Sequence, residues 1–103
     1  MSKVSVIAKI TCQEGKRDEL VAAFGDYFPQ VEGEEGTLVY AVSTDNGDPN
    51  VAWVYELYTG EDALGAHGGS DAFKAFGGQL AGLLAGAPEL HFCTPVHAKG
   101  HDR

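Results

Sequence analysis

Thr37-Leu38-Val39-Tyr40-Ala41-Val42-Ser43-Thr44, then Asp45-Asn46-Gly47-Asp48-Pro49-Asn50, then Val51-Ala52-Trp53-Val54-Tyr55-Glu56-Leu57-Tyr58-Thr59 is the stretch that decides the fold. Two runs rich in β-branched and aromatic residues flank a dense set of turn formers that includes Asn46-Gly47. A β-hairpin is predicted, with strands over residues 37–44 and 51–59. The second strand is apolar on both faces: Ala52, Val54, Glu56 and Tyr58 alternate with Trp53, Tyr55 and Leu57. A sheet with one wet face alternates more cleanly than this. The face of Trp53, Tyr55 and Leu57 is therefore expected to be covered. Its burial would stabilise by roughly 1.5–3 kcal/mol per large side chain, and a second copy about a two-fold axis is the simplest cover.

Upstream of the hairpin, residues 3–12 alternate and are β-branched, which predicts a first strand with Val4, Val6, Ala8 and Ile10 on one face. From Lys16 the period changes. Leu20, Phe24, Phe28 and Val31 form one helical stripe, Asp18 and Glu19 favour the first turn, and Pro29 should deform the helix, which must end before Gly36. Downstream, Thr59 and Asp62 resemble a capping box for a short helix running to about His67. Gly68-Gly69 breaks that helix and Ser70 caps another, whose stripe is Phe73, Phe76, Leu80, Leu83 and Leu84. Pro88 closes the helical region and residues 90–98 read as a last strand. The order βαββαβ predicts an α+β, ferredoxin-like antiparallel sheet with its helices on one face. The opposite face would be left for a partner.

The totals bound the function. The 103 residues are expected to form one domain over 1–103, with 99–103 a frayed tail; 44% are apolar and 21% charged, as in ordinary globular proteins. A net charge of −8 argues against nucleic acid and anionic membranes as partners. No apolar run is long enough to span a bilayer. Met1-Ser2-Lys3-Val4 leads into alternation rather than a signal-peptide core, so the expected location is cytoplasmic. Cys12 and Cys93 are read as small buried hydrophobes. His91, Cys93 and His97 share a strand face, but no nearby carboxylate completes a metal set, so no metal is expected.

Glu35-Gly36-Thr37-Leu38-Val39-Tyr40, Val54-Tyr55-Glu56-Leu57-Tyr58, Glu61-Asp62-Ala63-Leu64 with His67 three residues on, and Ser70 followed by Phe73 occur in that order. Their succession resembles the antibiotic-biosynthesis-monooxygenase family, including its quinol-monooxygenase-like members, over nearly the whole chain. The resemblance implies a dimeric α/β barrel with a pocket between sheet and helices in each subunit. It also implies cofactor-free oxygenation of phenolic or polycyclic aromatic substrates, although members include haem degraders, isomerases and proteins without known activity. Haem degradation is not expected. The histidine ligand of the haem-degrading members has no counterpart in Phe73-Lys74-Ala75-Phe76-Gly77, and Val6, Ile7 and Ala8 stand where their strand-one asparagine would be.

Oxygenation without a cofactor requires an electron-rich substrate anion, a base and a dry, orienting pocket. His67 is one candidate base, since imidazole exchanges protons near neutral pH; its alternative role is a helix cap or carboxylate partner. Glu56, flanked by Val54, Tyr55, Leu57 and Tyr58, is the other candidate, with a structural hydrogen bond or ion pair as its alternative. Tyr58 and Tyr40 could bind an aromatic ligand or belong to the core. Phe73 and Phe76 are core by spacing and pocket wall if a pocket exists. The leading expectation is a cofactor-independent monooxygenase acting on a small phenolic or polycyclic aromatic with O2. The alternative is a dimeric binding, stress-associated or isomerase protein on the same scaffold.

Overall fold

A computed structural model describes residues 3–100. Seven elements follow one another: β1 (Val4–Thr11), α1 (Arg17–Glu32), β2 (Thr37–Thr44), β3 (Val51–Tyr58), α2 (Glu61–Gly68), α3 (Asp71–Leu80) and β4 (Glu89–Cys93). The strands form one sheet in the order β2-β3-β1-β4, antiparallel throughout. This is the ferredoxin-like α+β arrangement predicted. Its core joins Ala8 and Ile10 of β1 and Ala52 and Val54 of β3 to Leu20, Phe24 and Tyr27 of α1 and Phe76 and Leu80 of α3. The helices cover the even-numbered residues of the central strands.

The predicted hairpin forms, but by side-chain chemistry rather than by a tight Asn-Gly turn. Asp45 Oδ2 accepts from the amides of Gly47 and Asp48, at 2.9 and 2.8 Å, and its Oδ1 accepts from the Trp53 indole at 2.7 Å. The Arg17 guanidinium donates to the carbonyls of Asp45, Asp48 and Val51, tying the turn to the start of α1. Within α1 the buried stripe is Leu20, Ala23, Phe24, Tyr27 and Val31. Tyr27 thus replaces Phe28, which is only half-buried, as the second aromatic of the stripe. The helix continues past Pro29 to Glu32.

Three local expectations are corrected. Thr59 does not cap α2: Gly60 occupies the cap position without a side-chain bond, and the Thr59 amide instead donates to the Gly36 carbonyl. Ser70 does cap α3, accepting from the Phe73 amide. β4 stops at Cys93 rather than residue 98, and Cys93 is exposed because it lies opposite Ser5, on the helix-free face of an edge strand; Cys12 is buried. His101 and the end of the predicted tail lie outside the described residues. On the uncovered face, Ile7 and Trp53 are exposed and Tyr55 is half-buried, whereas Leu57 is already buried within the single chain.

Two backbone features aim residues toward one end of the sheet. The β2–β3 register shifts between Thr37 and Val39: Thr37 lies opposite Tyr58, Val39 opposite Leu57 and Tyr40 opposite Glu56. Leu38 is the extra residue and is exposed. Such a bulge re-aims side chains, and here it puts both Thr37 and Tyr40 on the helix-covered face. Gly36 lets α2 approach, because a Cβ there would stand 2.5 Å from the Ala63 Cβ.

Candidate active site

His67 sits in the last turn of α2 and is 4% exposed. Its helix ends in Gly68-Gly69, and its carbonyl accepts from the Ser70 hydroxyl at 2.9 Å, so the start of α3 fixes the histidine from behind. Four rings surround the imidazole: Phe73 at 5.0 Å between centroids, Tyr40 and Tyr58 at 5.5 Å, and Tyr27 at 6.2 Å. They come from α3, β2, β3 and α1. The imidazole is therefore the meeting point of the two halves of the chain.

The carboxylate bonded to this histidine is Glu34, not Glu56. His67 Nδ1 lies 2.8 Å from Glu34 Oε1. Glu34 also accepts from the Thr37 hydroxyl at 2.8 Å and the Gln30 amide at 3.2 Å. Partial burial pushes the Glu34 carboxyl up, but the hydrogen bonds from His67, Thr37 and Gln30 together outweigh it, and its pKa lies below the ordinary value. Glu34 is ionised at neutral pH.

Glu56 is buried on β3 and accepts the Tyr58 hydroxyl at 2.5 Å. Burial raises its pKa, against the lowering effects of the Tyr58 bond and of His67. Tyr58, with no exposed surface, and half-buried Tyr40 are both held protonated, chiefly by burial and then by Glu56. Tyr27 is pushed up to about 12, by burial first and by Glu34 and Glu56 after it. The site thus offers phenol donors that remain neutral.

Two polar atoms in this group are buried without a hydrogen-bond partner among the described residues: His67 Nε2 and the Tyr27 hydroxyl. Buried polar groups are almost always bonded, and exceptions concentrate where a ligand or water belongs. A cleft of about 240 Å³ borders His67 and is lined also by Glu34, Gly36, Thr37 and Ser70. A second, of about 260 Å³, borders Tyr27 and Phe76, and Gln30 lines both.

The structure brings His67, Tyr40, Tyr58 and Phe73 together, with Glu56 reaching the group through Tyr58. Phe76 stands behind them. It stacks on Tyr27 at 4.2 Å and packs edge-on to Phe24, as part of the core. Glu34, Tyr27, Gln30 and Thr37 were not legible as site residues. Tyr27 could have been found from the spacing of Leu20, Phe24, Tyr27 and Val31, which fits a helix as well as the stripe through Phe28. Glu34 leaves no local signal, since its partner lies 33 residues away. Among the described residues no three His, Cys, Asp or Glu side chains group to hold a metal ion, and no helix is long and apolar enough to cross a membrane.

Residues 3–79 match the sequence profile of the antibiotic biosynthesis monooxygenase family. A crystal structure from Caulobacter crescentus, provisionally assigned as an antibiotic biosynthesis monooxygenase, is 35% identical; the match covers 93% of this chain and 92% of that one, with a TM-score of 0.88. A Chloroflexus aurantiacus structure with the same provisional assignment is 25% identical over 98% of this chain and all of that one, with a TM-score of 0.83. A Mycobacterium tuberculosis protein shares the fold at 23% identity and a TM-score of 0.85, covering 94% of this chain and 98% of that one. No curated protein sequence matches. With three quarters of its length inside the family profile and a structural relative alike from end to end, the chain belongs to the antibiotic biosynthesis monooxygenase family.

Proposed function

We propose that this protein is a cofactor-independent monooxygenase that oxygenates a small phenolic, quinol or polycyclic aromatic substrate with O2. Family membership supports a monooxygenase-like role. The observation that carries the finer reading is the buried, unpartnered Nε2 of His67 among the rings of Tyr27, Tyr40, Tyr58 and Phe73. In this reading His67 takes the phenolic proton, and the phenolate passes one electron to O2. The ring radical and superoxide then join in a C–O bond, the peroxide regains the proton, and loss of water leaves a quinone. One oxygen atom enters the ring, the other leaves as water, and the substrate supplies all four electrons. Tyr40, Tyr58 and Phe73 flank the substrate, Glu56 fixes the Tyr58 hydroxyl, and Phe76 backs the wall.

Oxygen uptake with a panel of quinols and polyphenols tests this. Wild type should consume oxygen, and His67→Ala should lose at least about 100-fold, the scale of a general base. A folded protein that consumes none with any of them contradicts the reading. One observation favours a binding or isomerase role instead: the clefts at His67 and Tyr27 are each below the roughly 300 Å³ at which drug-sized ligand pockets begin.

The proposal includes a homodimer through the sheet face of Trp53 and Tyr55, now joined by Ile7. These large side chains lie on the face away from the helices, and Ile7 and Trp53 are exposed. Trp53→Glu should yield monomer or aggregate in sedimentation; an unchanged dimer would exclude that face. A cytoplasmic setting belongs to the same reading and accords with two free cysteines.

A further inference from the structure

We propose that Glu34 is a positioning residue, holding the His67 imidazole with its proton on Nδ1 so that the buried Nε2 is the site's proton acceptor. The inference rests on the reading of His67 as the base. An ionised carboxylate only accepts hydrogen bonds, so the nitrogen 2.8 Å from Glu34 Oε1 is the donor. A neutral imidazole then carries its lone pair on the other nitrogen.

Glu34 is itself held from two directions. Thr37, turned to this face by the bulge in β2, donates to the same oxygen that meets His67. Gln30, from the last turns of α1, donates to the other oxygen. The remaining polar groups around the imidazole leave Nε2 alone: the Tyr58 hydroxyl is committed to Glu56, and neither Tyr27 nor Tyr40 bonds to it. The arrangement is that of a base oriented by a carboxylate through its far nitrogen, reached here from a turn that precedes β2.

The test reads the imidazole directly. Side-chain 1H–15N correlation spectra of the protein without substrate should show His67 at neutral pH with Nδ1 protonated and Nε2 bare. Glu34→Ala should redistribute the proton between the nitrogens. Glu34→Gln should keep it on Nδ1, because the amide oxygen still accepts and Thr37 still donates to it. Thr37→Val, which strips one donor from Glu34 and leaves the turn intact, should redistribute it in part. A wild-type proton on Nε2, a doubly protonated ring, or a tautomer unchanged by Glu34→Ala would overturn the proposal. Where oxygen is consumed, Glu34→Ala should lower the rate on the order of 10-fold to 100-fold, less than removal of the base itself, and Glu34→Gln should recover most of it. A Glu34-dependent Nδ1–H tautomer in a protein that consumes no oxygen would sustain the positioning role and remove the oxygenase reading.

Discussion

Glu34 and Glu56 border the same group of rings, one through His67 and the other through Tyr58, and behave in opposite ways. Glu34, in the turn between α1 and β2, is held low by three donors despite partial burial. Glu56, in β3 beneath the helices, accepts from one donor among the described residues, Tyr58, and burial prevails. The difference shows that the hydrogen bonds to the charged form, set against desolvation, decide the direction in which each carboxyl is shifted. It also divides the site into an ionic edge at Glu34, beside His67, and a floor at Glu56 and Tyr58 where burial opposes charge.

The division has opposite consequences for stability. A carboxyl whose folded pKa is lowered, such as Glu34, contributes stability above its ordinary value of 4.5 that is lost as pH falls through the folded pKa. A carboxyl whose folded pKa is raised, such as Glu56, does the reverse: stability is lost as pH rises from 4.5 through the folded pKa.

The contrast can be broken at its ionic edge first. Gly36→Ala places a Cβ against the Ala63 Cβ, pushing α2 and its His67 away from Glu34. We expect a loss of about 2 kcal/mol, the scale of overpacking, measured by urea denaturation. His67 signals should move and Tyr58 signals should hold; movement confined to Tyr58 would mean that α2 does not carry the ionic edge. A smaller effect is expected on the floor. Glu56→Gln keeps an acceptor for Tyr58 and removes a carboxyl whose ionisation burial opposes, so it should stabilise at neutral pH by about 1 kcal/mol. The smallest effect is in slope. The decline of wild-type stability just above pH 4.5 should flatten in Glu56→Gln, and the acid-side loss attributed to Glu34 should remain. A destabilised Glu56→Gln, or an unchanged slope, would show that the Glu56 charge is well satisfied.

The hairpin was legible because its strands and turn are written in local chemistry. The strand expected over residues 37–44 matches β2 to the residue, and β3 ends one residue before the expected Thr59. His67 was legible because it stands out in a helix that ends at two glycines. What escaped depends on contacts between distant segments. The sequence names no carboxylate as the partner of His67; the bulge at Leu38 and the close approach at Gly36 bring Glu34 to the imidazole. Tyr27 and Phe28 are adjacent aromatics, and only the sheet beneath α1 decides which is buried. β4 ended early because pattern alone cannot show where an edge strand loses its one neighbour.

In the proposed function the rings around His67 form a ligand site rather than core packing alone. The most direct measurement is an anaerobic titration of isotope-labelled protein with hydroquinone and catechol, followed by chemical shifts. Saturable changes are expected at His67, Tyr27, Tyr40 and Phe73, with little change at Leu20 or Ile10 on the far side of the core. Changes absent up to millimolar ligand, or confined to the exposed face of Ile7 and Trp53, would contradict it.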